Sequence, residues 1–323
     1  MADVHRLRVV EVVDETPDAK SFVLEGGGFT PGPGQFLTVR IGSAARCYSL
    51  SSAPHEPLRI TVKRTPDGYG SHWMCDNAVV GAELDVLGPV GVFTPASLDG
   101  DLLAFAGGSG ITPVMSIIRA VLLSGTGRVT LVYANRDERS VIFAGELAGL
   151  SAEHPDRLVV VHWLESVQGL PTAPLLAALA RPCDEAFLCG PAPFMEAART
   201  ASRGLGVERI HVERFTSLSS NPFEEAVPSQ DGPDATVEVD LDGEHHRFAW
   251  PARTRLLDLL LDQGLDAPYS CREGACSACA CRLVEGEVKM LANDVLDEQD
   301  LAEGYVLACQ AVPVTDAVKI TYT

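Results

Sequence analysis

Four cysteines near the end of the chain constrain its fold more than any other feature of the sequence. Cys271, Cys276, Cys279 and Cys309 follow the spacing C-x4-C-x2-C-x29-C. Thiolates at this spacing ligate one class of [2Fe–2S] cluster, so three ligands must share a loop while the fourth arrives from a distant segment. The residues between the first three are mostly small, which lets backbone N–H groups approach the sulfurs.

Zinc and a redox dithiol are the alternatives for this segment. Zinc sites favour two CxxC pairs, or one such pair with two histidines. Only Cys276 and Cys279 form such a pair, and no histidine lies near the loop. A dithiol would leave Cys271 and Cys309 without a role. Cys281 follows the loop on an expected strand, and we expect it to be a buried thiol that is not a ligand.

Residues 269–279 and 307–310, which contain these cysteines, resemble a plant-type ferredoxin domain. The resemblance implies an α+β, β-grasp fold over 235–323, with the [2Fe–2S] cluster near the surface. The preceding segment, 219–234, is rich in Ser, Pro and Gly and is predicted to be a linker. Asp242-Gly243 predicts a hairpin, and Thr254 is predicted to cap a helix that ends before Gly264.

The charge of the chain limits its partners. The net charge is −19, and residues 234–323 carry 17 acidic and seven basic side chains. Nucleic acids and anionic membranes attract clustered positive charge, so we expect neither as a partner. The acidic segment predicts either an ordinary solvated surface or a docking face for a protein. Without an apolar leader or an apolar run of about 18 residues, we expect a cytoplasmic protein with no membrane span.

Two further domains precede the ferredoxin-like segment. Residues 1–99 contain short β-branched runs between Gly- and Pro-rich turns, which predict a β-barrel or sandwich. Residues 100–218 alternate apolar strands with helices, which predicts an α/β domain with a parallel sheet.

Two segments of the β domain contain groups that suit a flavin nucleotide. In Arg46-Cys-Tyr48-Ser49, the guanidinium can pair with a phosphate, the ring can pack on the flavin, and the hydroxyl can bond a ring nitrogen. The same alternation also occurs in ordinary surface strands. The segment that begins Val62-Lys63 ends in Gly70-Ser71 at the start of an expected helix, where N–H groups hold a phosphate or close a turn.

The α/β domain has three segments of interest. Gly107-Gly108-Ser-Gly110-Ile-Thr112-Pro follows a buried strand and opens a helix, although it lacks the strict G-x-G-x-x-G pattern. Cys189-Gly190-Pro191 follows the fourth expected strand, and Glu213-Arg-Phe215 ends the domain. Glycines at such positions admit either a nucleotide or close backbone packing.

Together these segments resemble the ferredoxin–NAD(P) reductase superfamily, and their order resembles its phthalate dioxygenase reductase group. They are most similar to the reductases of 3-ketosteroid 9α-hydroxylases, and then to phenylacetyl-CoA oxygenase reductases. The resemblance implies an FAD-binding barrel over 1–99 and an NAD-binding domain over 100–218. It also implies an oxidoreductase that passes electrons from NADH through FAD and the cluster to a terminal oxygenase, expected to be of the Rieske type.

The resemblance also assigns roles to individual residues. Contacts to FAD are assigned to Arg46, Tyr48, Ser49, Val62, Lys63, Gly70, Ser71 and Thr112. Contacts to NAD are assigned to Gly107, Gly108, Gly110, Cys189, Gly190 and Pro191. The catalytic contact between nicotinamide and flavin is assigned to Ser49, Thr112, Cys189 and Phe215, although Phe215 also suits a core position.

Several alternatives stay open at this point. FMN could replace FAD, and NADPH could replace NADH, since Arg136 would favour a 2′-phosphate while Asp137 and Glu138 would repel it. Asp137 and Glu138 could instead bond a ribose hydroxyl. A non-catalytic electron-transfer or redox-sensing protein, and a zinc-stabilised binding module, are the alternatives from other functional classes.

Overall fold

The computed structural model describes residues 4–66, 68–181, 183–215, 218, 221–223 and 234–322. The chain forms two compact units. One comprises 5–41 and 47–215, and the other comprises the described part of 216–323 with residues 4 and 42–46. Most of the predicted linker 219–234 lies outside the described residues, and the domain limits expected from the sequence stay predictions.

The first part of the chain is an antiparallel six-stranded barrel. The order of its strands is β4-β3-β6-β1-β2-β5. A bridge between Leu50 and Ile60 links the segment after β4 to β5, and the Ser51 N–H donates to the Arg59 carbonyl at 2.7 Å. The elements are β1 (His5–Thr16), β2 (Ala19–Gly26), β3 (Phe36–Ile41), β4 (Ala44–Ser49), β5 (Leu58–Lys63), α1 (Tyr69–Asn77) and β6 (Glu83–Val90).

A parallel α/β sheet follows, with the strand order β11-β10-β7-β8-β9. The central strand is buried on both faces, because Leu103 and Phe105 pack on one side while Ala104 and Ala106 pack on the other. The elements are β7 (Asp101–Gly107), α2 (Ile111–Ser124), β8 (Arg128–Asn135), α3 (Ala144–Glu153), β9 (Leu158–Leu164), α4 (Glu165–Gln168), α5 (Ala173–Leu179), β10 (Glu185–Cys189), α6 (Ala192–Gly204) and β11 (Arg209–Glu213).

The last part of the chain is a mixed five-stranded sheet, β13-β12-β18-β14-β16, accompanied by the two-stranded pair β15 and β17. Strands β12 and β18 run parallel, and the other pairs run antiparallel. The elements are β12 (Asp234–Leu241), β13 (Glu244–Pro251), α7 (Leu256–Asp262), β14 (Ala280–Glu285), β15 (Val288–Met290), α8 (Glu298–Ala302), β16 (Tyr305–Leu307), β17 (Ala311–Pro313) and β18 (Ala317–Thr321).

The predicted multi-domain fold of barrel, parallel α/β domain and β-grasp domain is confirmed. The predicted hairpin turn is also present, since Asp242 and Gly243 both have positive φ. The predicted cap is wrong: helix α7 begins after Arg255, not after Thr254. The reason is that Thr254 closes a turn onto the Pro251 carbonyl, and its own carbonyl accepts the Trp250 indole N–H.

Membrane-spanning helices are not found in the described residues, because no helix there is both long and apolar enough to cross a bilayer.

Neighbouring leucines on α5 test the packing against the parallel sheet. Leu176 is fully buried and Leu175 is 46% exposed. Because a buried leucine leaves a cavity when truncated, we expect Leu176→Ala to lower the free energy of unfolding by about 2–5 kcal/mol. Leu175→Ala is the matched control and should cost less than about 1 kcal/mol. Urea unfolding followed by circular dichroism measures both, and equal losses would contradict this packing.

Candidate functional site

Glycines bring the carboxyl ends of β7 and β10 into direct contact. A Cβ on Gly110 would lie 2.1 Å from the Cys189 carbonyl oxygen, and one on Gly190 would lie 2.9 Å from the Gly107 Cα. A Cβ on Gly107 would lie 2.8 Å from Pro191 Cδ. No side chain fits at these three positions. Gly107, Gly110 and Gly190 are therefore required by packing, whatever they contribute to a nucleotide.

This contact lies at the kind of position where open α/β sheets bind their ligands. Strand β7 is followed by β8 on one side, while β10 lies on its other side, so the chain reverses its strand order here. Ligands of open α/β sheets bind at the carboxyl ends of strands beside such a switch point. Gly108 has a φ of 54°, its carbonyl accepts the Tyr133 hydroxyl at 3.0 Å, and the Thr112 hydroxyl donates to the Ser109 carbonyl. The hydroxyls of Tyr133 and Thr112 thus fix the loop through the carbonyls of Gly108 and Ser109.

Cys189 lies at this edge and is 1% exposed. Its register partner on β11 is Glu213. Burial, and then the Glu213 charge, raise the pKa of Cys189 well above its ordinary value. Burial also raises the pKa of Glu213 to about 8. The sequence assigned no role to Glu213, because only the strand order shows that it faces Cys189.

Phe215 follows β11 and is 51% exposed, so it is not a core residue. A half-exposed aromatic side chain leaves a ring face available to a ligand. Its expected contact with flavin stays a prediction.

The flavin-motif residues occupy strand β4. Ser49 is 5% exposed, and Tyr48 packs partly against the barrel core. The Arg46 guanidinium donates to the carbonyls of Ala45 at 2.7 Å and Leu218 at 3.5 Å. The strand therefore presents the three side chains expected of it, and their flavin contacts stay predictions.

The second flavin segment forms a closed turn before α1. The Ser71 hydroxyl donates to the Gly68 carbonyl at 3.0 Å and accepts the Thr65 N–H at 3.1 Å. Gly70 and Ser71 are buried in the first turn of the helix. The turn thus positions the helix start that would face a phosphate.

Lys63 belongs to the second flavin segment and also lies beside the glycine loop 107–110, which we call the nucleotide loop. A Cβ on Gly108 would be 4.0 Å from Lys63 Nζ, and Asp18 lies 3.7 Å from the same atom. Its neighbour Val62 is buried, and the Val62 carbonyl accepts a weak bond from the Cys75 thiol. The structure therefore brings a cation assigned to FAD together with a glycine assigned to NAD.

The interpretation of Asp137 as a ribose ligand stays a prediction, and the structure gives its carboxylate a local role. Its carboxylate accepts the Ser140 N–H at 3.0 Å and caps a short helix, Glu138–Ser140. Arg136 pairs with Asp18 at 3.2 Å. These contacts of Asp137 and Arg136 do not distinguish NADH from NADPH.

The four cluster cysteines are all buried, at 1–7% exposure. Backbone N–H groups approach their sulfurs: those of Glu273 and Ala275 lie 3.4 Å from Cys271 Sγ, and that of Cys309 lies 3.4 Å from Cys279 Sγ. Hydrogen bonds from the Cys276 and Cys309 thiols lower the pKa of Cys271, and bonding to Cys271 and Cys279 raises that of Cys309. The four sulfurs are therefore neighbours.

The donor set fits a [2Fe–2S] cluster. A two-iron cluster divides its four thiolates between two metals, and N–H groups directed at the sulfurs stabilise its negative charge. Cys281 is 1% exposed, and its thiol donates to the Val306 carbonyl.

Comparison with family models agrees with both sites. Residues 239–314 match a 2Fe-2S iron-sulfur cluster binding domain, a range that includes all four cysteines. Residues 105–200 match an oxidoreductase NAD-binding domain, which includes the β7 and β10 loops.

Relatives extend the likeness to the whole chain. The chain is 55% identical to the ferredoxin reductase component of 3-ketosteroid-9-alpha-monooxygenase from Mycolicibacterium smegmatis, over 99% of this chain and 97% of the relative. It is 35% identical to a component of the 1,2-phenylacetyl-CoA epoxidase from Escherichia coli, over 100% and 98%. The structure of phthalate dioxygenase reductase matches with a TM-score of 0.61 at 24% identity, over 98% of both chains.

The raised pKa of Glu213 predicts a pH dependence of stability. The folded carboxyl keeps its proton up to a pH of about 8, while the unfolded one loses it near 4.5. The unfolded state therefore binds fewer protons across this range, and stability falls as pH rises. Glu213→Gln should remove that part of the fall, on the order of a few kcal/mol.

Thermal unfolding midpoints between pH 5 and 8.5 measure the effect. Glu208→Gln is the matched control, because Glu208 is exposed just before the same strand. A Glu213→Gln variant with the wild-type pH profile would show that the carboxyl is not desolvated.

Proposed function

The chain belongs to the family of ferredoxin reductase components of oxygenases, and from this we propose that it oxidises NADH and passes the electrons singly to a terminal oxygenase. The observation that carries the proposal is the presence of two sites in one chain. A sheet edge with Cys189 and Glu213, beside the range that matches an NAD-binding domain, lies in one unit, and a four-cysteine loop lies in the other. A reductase that passes electrons to a partner protein needs no separate site for an organic substrate.

We infer that FAD is the flavin. The support is the bonded turn of Ser71 before α1, in addition to strand β4, because a dinucleotide has a second phosphate to bind. When bound, the flavin converts a two-electron hydride transfer into single-electron steps, which the cluster requires. The protein would hold it with Arg46, Tyr48 and Ser49, and would position the nicotinamide with Thr112 and Cys189.

We infer that the terminal oxygenase is a steroid 9α-hydroxylase component of the Rieske type. The support is the 55% identity to the mycolicibacterial reductase along nearly the whole of both chains. The 35% identity to the phenylacetyl-CoA epoxidase component makes an aromatic oxygenase the second candidate.

Anaerobic titration with NADH tests the proposal. We expect flavin and iron–sulfur absorption bands that bleach on addition of NADH. Cys271→Ser should lose the cluster bands while NADH still bleaches the flavin, because the nucleotide site lies in the other unit. Cys281→Ser is the matched control and should keep the cluster, since Cys281 is not one of the four expected ligands and its thiol donates to the Val306 carbonyl. A wild-type protein that lacks the flavin and iron–sulfur bands, or whose bands do not bleach with NADH, would refute the function.

The acidic third domain predicts a salt effect on the partner reaction. Residues 234–323 carry a net charge of −10. Because exposed charges steer association and are screened by salt, turnover with a purified steroid 9α-hydroxylase oxygenase should fall as ionic strength rises. NADH-dependent dye reduction by the same sample should change much less. Parallel changes in the two rates would argue against electrostatic docking through this domain.

A further inference from the structure

One face of helix α2 (Ile111–Ser124) carries polar side chains towards the barrel. Thr112, Ser116 and Arg119 are four and three residues apart, a spacing that places them on the same side of a helix. Thr112 and Ser116 are only 2% and 1% exposed. We call Thr112, Ser116 and Arg119 the α2 stripe. Polar groups at such burial require partners, and two of the three find them in the barrel.

Ser116 bonds two separate barrel segments. Its hydroxyl donates to the Ser52 carbonyl at 2.7 Å and accepts the Gly34 N–H at 3.2 Å. Ser52 lies three residues after Ser49 of the flavin motif. One buried hydroxyl therefore connects the helix that begins at the nucleotide loop to the segment that continues from the flavin strand.

Arg119 extends the connection through an ion-pair network. Its guanidinium bonds both Glu56 of the barrel, with Nε 2.8 Å from Oε2, and Glu146 of α3. Arg59 of β5 reaches the same Glu146 at 2.9 Å and bonds the Ser51 hydroxyl at 3.1 Å. The four charged side chains are 19–23% exposed. Charges alternate along this network, so each carboxylate is paired with a guanidinium across the barrel boundary.

Apolar contact alone would not fix this boundary. Ala19 and Phe93 pack into the α2 side of the sheet core, and such contacts are non-directional. Hydrogen bonds to a particular carbonyl and a particular carboxylate are directional. The bonds of Ser116 and Arg119 therefore fix the position of α2 relative to the barrel.

We propose that Ser116 and Arg119 are positioning residues for hydride transfer, which hold Thr112 at the nucleotide loop in register with Ser49 at the flavin strand. This inference rests on the proposed function. Hydride transfer requires reacting atoms in near-contact, and a displacement of about 1 Å costs up to about 100-fold in rate. Loss of the Ser116 bonds leaves a buried carbonyl and a buried N–H unpaired, which favours a shift of the helix relative to the barrel.

Stopped-flow reduction of the FAD-loaded protein by NADH and by 4-deuterated NADH tests the proposal. Ser116→Ala should lower the limiting rate of flavin reduction about tenfold, with a deuterium isotope effect at least as large as that of the wild type. The Kd for NADH should stay within about twofold, because Ser116 is bonded to barrel backbone and not to the nucleotide loop. Arg119→Met should act in the same direction, and its partial exposure makes it the second variant if Ser116→Ala does not fold.

Ser202→Ala is the matched control. Ser202 is also a fully buried helix serine of the same unit, but its hydroxyl bonds the Ala198 carbonyl of its own helix. The Ser202→Ala variant should show the wild-type limiting rate of flavin reduction by NADH. A wild-type limiting rate in both Ser116→Ala and Arg119→Met, an equal loss in Ser202→Ala, or a loss confined to NADH affinity would each overturn the positioning role. Failure of the wild type to be reduced at all would instead refute the proposed function.

Discussion

The contact between the ends of β7 and β10 is the constraint on which the nucleotide site depends. Gly110 lies so close to the Cys189 carbonyl that a Cβ would overlap it at 2.1 Å. Two neighbouring strands can therefore end at the same level without a side chain between them. The consequence is a sheet edge at the switch point where Gly110 lies against Cys189 and a Cβ on Gly108 would meet only the end of Lys63, at 4.0 Å. Strand β11 then adds Glu213 to the same edge.

Helix α2 carries this constraint to the barrel. It begins at the glycine loop and crosses beside the segment that follows the flavin strand, where Ser116 and Arg119 bond it. Helix α2 thus connects the glycine loop, by the chain itself, to the barrel segment of Ser52 and Glu56, by hydrogen bonds. The glycine loop and the flavin-motif residues Tyr48 and Ser49 belong to the same compact unit.

Sequence patterns predicted the elements that depend on local periodicity and the sites that depend on spacing. The double-sided apolar run of β7 and the four cysteines are of this kind. Glu213 was not assigned because its apolar surroundings come from strand order, which periodicity does not contain. The capping role of Asp137 was missed for a related reason: its carboxylate accepts the Ser140 N–H, a local contact that the charge pattern does not show. Ser116 gave no signal, since a polar residue on an apolar helix is explained only by its partner.

The cluster loop shows how a fold offsets local strain to present backbone N–H groups. Arg272 and Ser277 adopt positive φ values of 60° and 52°, a conformation that costs a non-glycine residue about 1–2 kcal/mol. Arg272 is held there from two sides, because its guanidinium pairs with Asp258 of α7 and its carbonyl accepts the Gln310 amide at 2.9 Å. Gln310 also lies 3.6 Å from Cys309 Sγ. The segment that supplies the distant fourth ligand therefore also stabilises the strained loop that supplies the other three.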